Sequence, residues 1–300
     1  MKIKKSLLAD GALLLIAMAW GLNFVVMKNA LQRITPFMYL AVRFLLAFLI
    51  LAAIFRDNLK VMDKEDIVGG TIIGLFLFFG FATQTLGLLY TTPAKSGFIT
   101  GSNVVMVPFL AYTLNKKFPG WYQVLGAAVT FAGLGVISLE GGFRISKGDF
   151  LTLLCAVFFA MQIVTIEYYA RRGNPVNLAI LETGITGILS LLAGALTEPM
   201  PVTLDLTMWI AILYAVICCT AGAFLVQNVA QKYTTSTHAA VIMCQEAVFA
   251  AVFSFLFWGE PLTLKALTGF ALILAGVLIT ELLPADGVKT ESRVKCGKGA

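Results

Sequence analysis

Ten runs of about twenty mostly apolar residues, each long enough to cross a bilayer as a helix, occupy nearly all of this 300-residue chain. They cover 7–29, 36–55, 67–89, 94–114, 121–139, 149–170, 176–196, 207–230, 237–258 and 263–283. In lipid a segment must satisfy its own backbone amides, so each run is predicted to be helical. The ten-residue alternation of a barrel strand is not present. Only 13% of residues are charged, about half the share in a soluble domain. The net charge of +6 is dispersed over short connectors, which argues against nucleic-acid binding.

The chain also repeats itself. At a spacing of 139, Asp10 matches Asp149, Pro36 matches Pro175 and Arg43 matches Glu182. At a spacing of 143, Gln84 matches Gln227, Tyr90-Thr91-Thr92 matches Tyr233-Thr234-Thr235, Gly126 matches Gly269 and Gly133 matches Gly276. The change of offset reads as a four-residue insertion in the second half. Five spans per half is an odd number, so the second half enters the membrane from the opposite side. The predicted fold class is an all-α membrane protein, ten transmembrane helices in two inverted five-helix repeats, with its site at the seam between them.

Lys and Arg set the orientation. With the N-terminus in the cytoplasm, 15 of the 22 fall on the cytoplasmic side, 6 outside and one, Arg43, within a span. Both termini are therefore expected in the cytoplasm. Residues 1–6 form the N-terminal segment, 7–139 and 149–283 the repeats, 140–148 an outer linker and 284–300 a disordered basic tail. The basic start and Ala17-Met18-Ala19 resemble a cleavable signal, but the apolar run continues to Val26 and has a counterpart after Asp149. The five Cys have no paired spacing and read as apolar fillers.

Several polar residues fall where lipid-spanning helices rarely carry them. Glu246 lies midway along its span, where an ionised carboxylate costs roughly 2.5–3.5 kcal/mol on the mildest scale. Its repeat counterpart is Asn103. Ser96, Thr100 and Asn103 are spaced to share one helix face, with Gly97 and Gly101 beside them. Trp20 and Asn23 have Phe159 and Gln162 as counterparts, an aromatic and an amide at the same depth in each half. With Gln84 and Gln245 they make an aromatic cavity carrying a few polar groups, as small-molecule sites are built. The expected substrate-lining set is Trp20, Asn23, Gln84, Ser96, Thr100, Asn103, Phe159, Gln162, Gln245 and Glu246. Arg43, Glu182, His238 and again Glu246 are candidates for coupling or gating. Arg43 and Glu182 are expected to snorkel or to bond backbone near opposite faces. Pro108 is expected to free carbonyls one turn earlier. Gly126, Gly133, Gly269 and Gly276 read as a small-residue face for internal packing or a dimer contact. Catalytic motifs, phosphate loops and metal-ligand sets are absent, so neither an enzyme nor a cofactor is implied.

Trp20-Gly21-x-Asn23-Phe24, Arg43 after Pro36, Tyr90-Thr91-Thr92 with Ala94 and Pro108, and Trp258-Gly259-Glu260-Pro261 together resemble the EamA-type carriers of the drug/metabolite transporter superfamily. The likeness extends over about residues 8–283. It implies export of amino acids, related metabolites or cationic drugs through a cavity formed mainly by helices one, three, four, six, eight and nine. The chain departs from that family at Lys116-Lys117-Phe118-Pro119, where Gly-Glu and an apolar residue are usual, which leaves Glu260 without a symmetric counterpart. Glu260 reads as a helix-end residue. The expected partners are a small-molecule substrate and the bilayer, with the proton a possible coupling ion and the protein a monomer or homodimer. The expected function is secondary transport of a small organic metabolite out of the cell. The alternatives are a multidrug or cation–proton antiporter and a lipid-linked carrier flippase.

Overall fold

A computed structural model describes residues 2–115, 120–138, 146–199, 205–261 and 263–282. The expectations for 116–119, for the linker residues 140–145 and for the tail 284–300 lie outside the described residues. The rest is helical: α1 (Lys2–Ala30), α2 (Pro36–Ile54), a one-turn helix (Arg56–Leu59), α3 (Lys64–Leu88), α4a (Pro93–Gly101), α4b (Asn103–Asn115), α5 (Trp121–Ser138), α6 (Lys147–Ala170), α7 (Pro175–Thr197), α8a (Leu206–Val216), a π turn (Ile217–Ala221), α8b (Gly222–Gln231), α9a (Ser236–Met243), α9b (Gln245–Trp258) and α10 (Leu264–Leu282). Seven of the ten spans are unbroken or nearly unbroken apolar helices of membrane-crossing length. The set is completed by the interrupted α4 and by α5 and α10, with apolar stretches Val124–Gly133 and Leu267–Gly276.

Local chemistry fixes the ends. Pro36, Pro93 and Pro175 open α2, α4a and α7, where a missing N–H costs nothing. Asp63 and Asp205 cap α3 and α8a through Asp66 N and Met208 N. Thr92 and Thr235 cap α4a and α9a, each at 3.3 Å, so the repeated Tyr-Thr-Thr is a helix-start motif. Gly259 ends α9b with φ +76°, a left-handed conformation that a side chain disfavours. Glu260 then accepts from Ser254 Oγ at 2.5 Å, which makes it a closing residue of that turn.

The halves pack as an inverted pair. α2 lies on α7 and α5 on α10, each helix against its own repeat counterpart. α3 against α6 mirrors α8b against α1, and α4b against α6 mirrors α9b against α1. The glycines at the α5–α10 crossing face one another. A methyl on Gly133 would meet Gly269 O at 2.7 Å, and one on Gly276 would meet Gly126 O at 2.6 Å. The small-residue face is therefore internal packing between the repeats.

Two spans break at matching depth. In α4 the break is Ser102, with i−3 bonds Ser102 N→Ile99 O and Val105 N→Ser102 O. In α9 it is Cys244, with Ala247 N→Cys244 O at 3.1 Å. Pro108 lies six residues beyond the first break and no proline lies in α9, so neither break stands at a proline. The Gly101-Ser102 pair is the local cause in α4. The breaks touch at the seam, where Cys244 Sγ lies 3.5 Å from Gly101 O.

The eighth span carries one further departure. Asp63 and Asp205 cap at a spacing of 142, yet Gln84 and Gln227 are spaced 143. The π turn Ile217–Ala221 adds the difference, one residue wound into a single wide turn. The other three residues of the insertion lie before Asp205.

Candidate functional site

The cavity lies between the repeats; the space there not filled by protein atoms, part of it open to solvent, is about 540 Å³. Its walls come from α1 (Trp20, Asn23, Phe24, Met27), α2 (Arg43), α3 (Leu77, Phe81, Gln84), α4b (Asn103), α6 (Phe159, Gln162, Ile163), α8b (Phe224, Gln227) and α9 (Met243, Glu246). Twelve of these sixteen residues are six repeat-related pairs: Trp20/Phe159, Asn23/Gln162, Phe24/Ile163, Phe81/Phe224, Gln84/Gln227 and Asn103/Glu246. Helical periodicity turns each set to one face, as in Trp20, Asn23, Phe24, Met27 and in Leu77, Phe81, Gln84. The broken spans place Asn103 and Glu246 in the first turns of α4b and α9b. Phe81 sits edge-on to Phe44, Phe159 and Phe224 with centroids 5.0, 5.1 and 6.1 Å away, building one apolar wall.

Polar groups in the cavity divide into those already held and those left open. Gln84 donates to Thr100 Oγ1 at 3.2 Å. Gln162 accepts from Gln227 at 3.3 Å and donates to Glu182 at 3.3 Å, and Asn228 also donates to Glu182. Glu246 makes no hydrogen bond or ion pair among the described residues and is 7% exposed. Asn23 Oδ1 is buried and also unpartnered.

Arg43 is fully buried. Its Nε donates to Thr220 Oγ1 at 2.6 Å and its Nη2 to Cys219 O at 3.0 Å. Its guanidinium carbon lies 4.8 Å from the Phe81 ring centre and 5.3 Å from that of Phe44. The Cys219 carbonyl, in the π turn, also accepts from Trp20 Nε1 at 3.0 Å. Thr220 Oγ1 in turn donates to Ala215 O, five residues back. Of the two fates expected for Arg43, it takes the backbone partner and does not snorkel: the wide turn of α8 supplies acceptors at depth, and the guanidinium stays in the cavity wall.

Other expected residues lie off the cavity. Thr100 backs Gln84, while Ser96 and Gln245 are buried beside the lining. The break at Ser102 removes the straight helix that would have kept Ser96, Thr100 and Asn103 on one face. Glu182 stands one layer behind Gln162, held by two amides rather than by lipid headgroups or backbone. His238 lies in the first turn of α9a, its backbone N–H on the Thr235 cap and its Nε2 3.1 Å from Asp10 Oδ1. This contact is the repeat image of Lys95 Nζ to Asp149 Oδ2 at 2.8 Å, at the other end of the bundle. Met27, Leu77, Phe81, Ile163, Phe224 and Met243 line the cavity without having been singled out in the sequence, and Phe24, quoted there only as part of a motif, lines it too. Phe81, Phe24, Ile163 and Phe224 were readable there, since each occupies a position whose repeat counterpart faces the same space.

Known proteins resemble this one along its length. A model of the EamA-like transporter family matches residues 7–139 and again 146–282. An uncharacterized transporter of Archaeoglobus fulgidus is 37% identical, with 93% of this chain and 87% of that protein covered. A Salmonella typhimurium protein named a probable amino-acid metabolite efflux pump is 28% identical, covering 90% and 94%. A solved crystal structure superposes with a TM-score of 0.76 at 19% identity, covering 91% of this chain and 96% of that one, which shows the fold. The two family matches, one per repeat, establish that the chain is a transporter of the EamA-like family.

Proposed function

We propose that the protein is a secondary carrier that moves a small organic metabolite, an amino acid or a close relative, out of the cell by alternating access. The carrying observation is the cavity at the repeat seam, lined by six mirrored residue pairs and bounded by two spans broken at the same depth. Such a site is reached from either side as inverted repeats rock around it. The name carried by the Salmonella relative supports an amino-acid-like cargo. We place the protein in the cell membrane with both termini cytoplasmic, on the excess of Lys and Arg at that end. Glu246, unpaired in the cavity, is the group through which proton exchange or a substrate ammonium would act. Uptake of labelled amino acids and an aromatic dication into proteoliposomes, with and without a pH gradient, tests this. Saturable amino-acid flux supports it, whether or not the gradient drives the flux. Unsaturable flux, or flux of the dication alone, overturns it.

A further inference from the structure

Among the described residues Arg43 has no counter-ion. The described ion pairs are Arg33–Asp205, Lys60–Asp57, Lys95–Asp149, Arg171–Glu167 and His238–Asp10, and none includes it. A guanidinium stays protonated in any protein environment, so it is a fixed positive charge inside the membrane. Its Nε and Nη2 are spent on Thr220 and Cys219, and its two flanks on aromatic faces. Nη1 is buried and makes no hydrogen bond, in a side chain that lines the cavity; the Tyr39 hydroxyl, buried and likewise without a hydrogen bond, lies beside the guanidinium. A buried donor left open is costly, the more so when charged. Here the cost is incurred where a ligand would meet the donor.

Arg43 also breaks the symmetry of the site. Its counterpart Glu182 is outside the lining and already bonded to Gln162 and Asn228. The wide turn that holds Arg43 occurs in α8, while the equivalent stretch of α3 is regular α-helix. Among the described residues the cavity therefore has one cationic group, Arg43, and one open carboxyl, Glu246, on different helices.

We propose that Arg43 Nη1 binds the carboxylate of the transported molecule and that Glu246 faces its amino group, so the cargo is a zwitterion with an apolar side chain set against Phe81, Phe159 and Phe224. This rests on the carrier reading above and adds to it the substrate's charge pattern. Thr220 and the Cys219 carbonyl are positioning groups: they fix two of the guanidinium's nitrogens and leave the third for the ligand.

The test varies the ligand first, so it does not depend on a variant folding. Purified full-length protein is titrated, by thermal shift and by competition binding, with two matched series. One is phenylalanine, phenethylamine and 3-phenylpropionate; the other is leucine, 3-methylbutylamine and 4-methylpentanoate. The expected result is that in at least one series the amine binds about ten- to a hundredfold more weakly than the amino acid. Arg43→Lys, which keeps the charge and loses the fork, should weaken the amino acid and leave the amine unchanged. Thr220→Val should weaken the amino acid by a smaller factor. Amines that bind as well as the amino acids would overturn the role of Arg43 while leaving the carrier reading in place. Failure of every compound in both series to bind would overturn the zwitterion site, and the proteoliposome flux would then judge the carrier reading separately.

Discussion

Gly133→Ala is expected to destabilise the protein while Gly135→Ala, two residues away on the same helix, does not. The methyl at position 133 would stand 2.7 Å from Gly269 O and 2.9 Å from Ile273 N, both fixed backbone atoms of α10. Restoring an ordinary contact of at least 3.4 Å requires the helices to part by about 0.7 Å at their crossing. A gap of that size forfeits a quarter to a half of the dispersion energy of the atoms around it. Overpacking of this kind costs about 1–3 kcal/mol. A methyl at 135 meets nothing within 4 Å. Both substitutions gain the same helix propensity, roughly 1 kcal/mol, so the difference between the variants isolates the packing cost. Reversible unfolding in mixed micelles measures it directly. Adding Gly276→Ala to Gly133→Ala should cost less than the sum of the two, because the first substitution has already separated the pair. Equal stability of the 133 and 135 variants would refute an internal α5–α10 seam built on these glycines.

Three further outcomes are expected. Glu246→Gln should abolish pH-driven flux but spare substrate exchange if the carboxyl exchanges a proton, and should selectively weaken amino-bearing substrates if it binds them; flux unchanged for every compound would reject both roles. His238→Leu, which removes the 3.1 Å contact to Asp10 Oδ1, should destabilise the protein in micelles by about 1 kcal/mol. A variant as stable as the parent would show that the contact contributes nothing. Single cysteines replacing Lys60 and Arg33, exposed at opposite ends of the bundle, should be labelled by an impermeant thiol reagent from the cytoplasmic and outer sides respectively, in a background free of other cysteines; the reverse pattern would invert the assigned orientation.

Much of the architecture was legible because lipid leaves a chain few options. Each apolar run had to be a helix, and an odd number per repeat had to invert the second half. The cavity was partly legible through duplication, since polar residues at matching offsets, Asn23 with Gln162 and Asn103 with Glu246, converge only if the repeats share an axis. What escaped notice has a common cause, the assumption of straight, regular helices. Ser96 and Thr100 share a face with Asn103 on an ideal helix, and the break at Ser102 ends that relation. Cys244 interrupts α9 without any proline or glycine to announce it. Ile217-Cys218-Cys219-Thr220-Ala221 has the composition of an ordinary apolar turn, so its extra residue appeared only as a change of offset. Arg43 was misplaced for the same reason. Counting depth along α2 sends a long cation to the surface, but its acceptors lie on α8, a neighbour that no count along α2 can see.

The single added residue in α8 has a consequence for how cargo is oriented. A cavity with true two-fold symmetry would take an elongated ligand head-first or tail-first with equal energy. Here one copy of the ancestral unit has slipped by a residue, and the slip secures a permanent charge on one side of the axis only. If the protein is the carrier proposed above, the slipped turn gives the cavity a compass: whichever side is open, the same end of the passenger would point to the same helix.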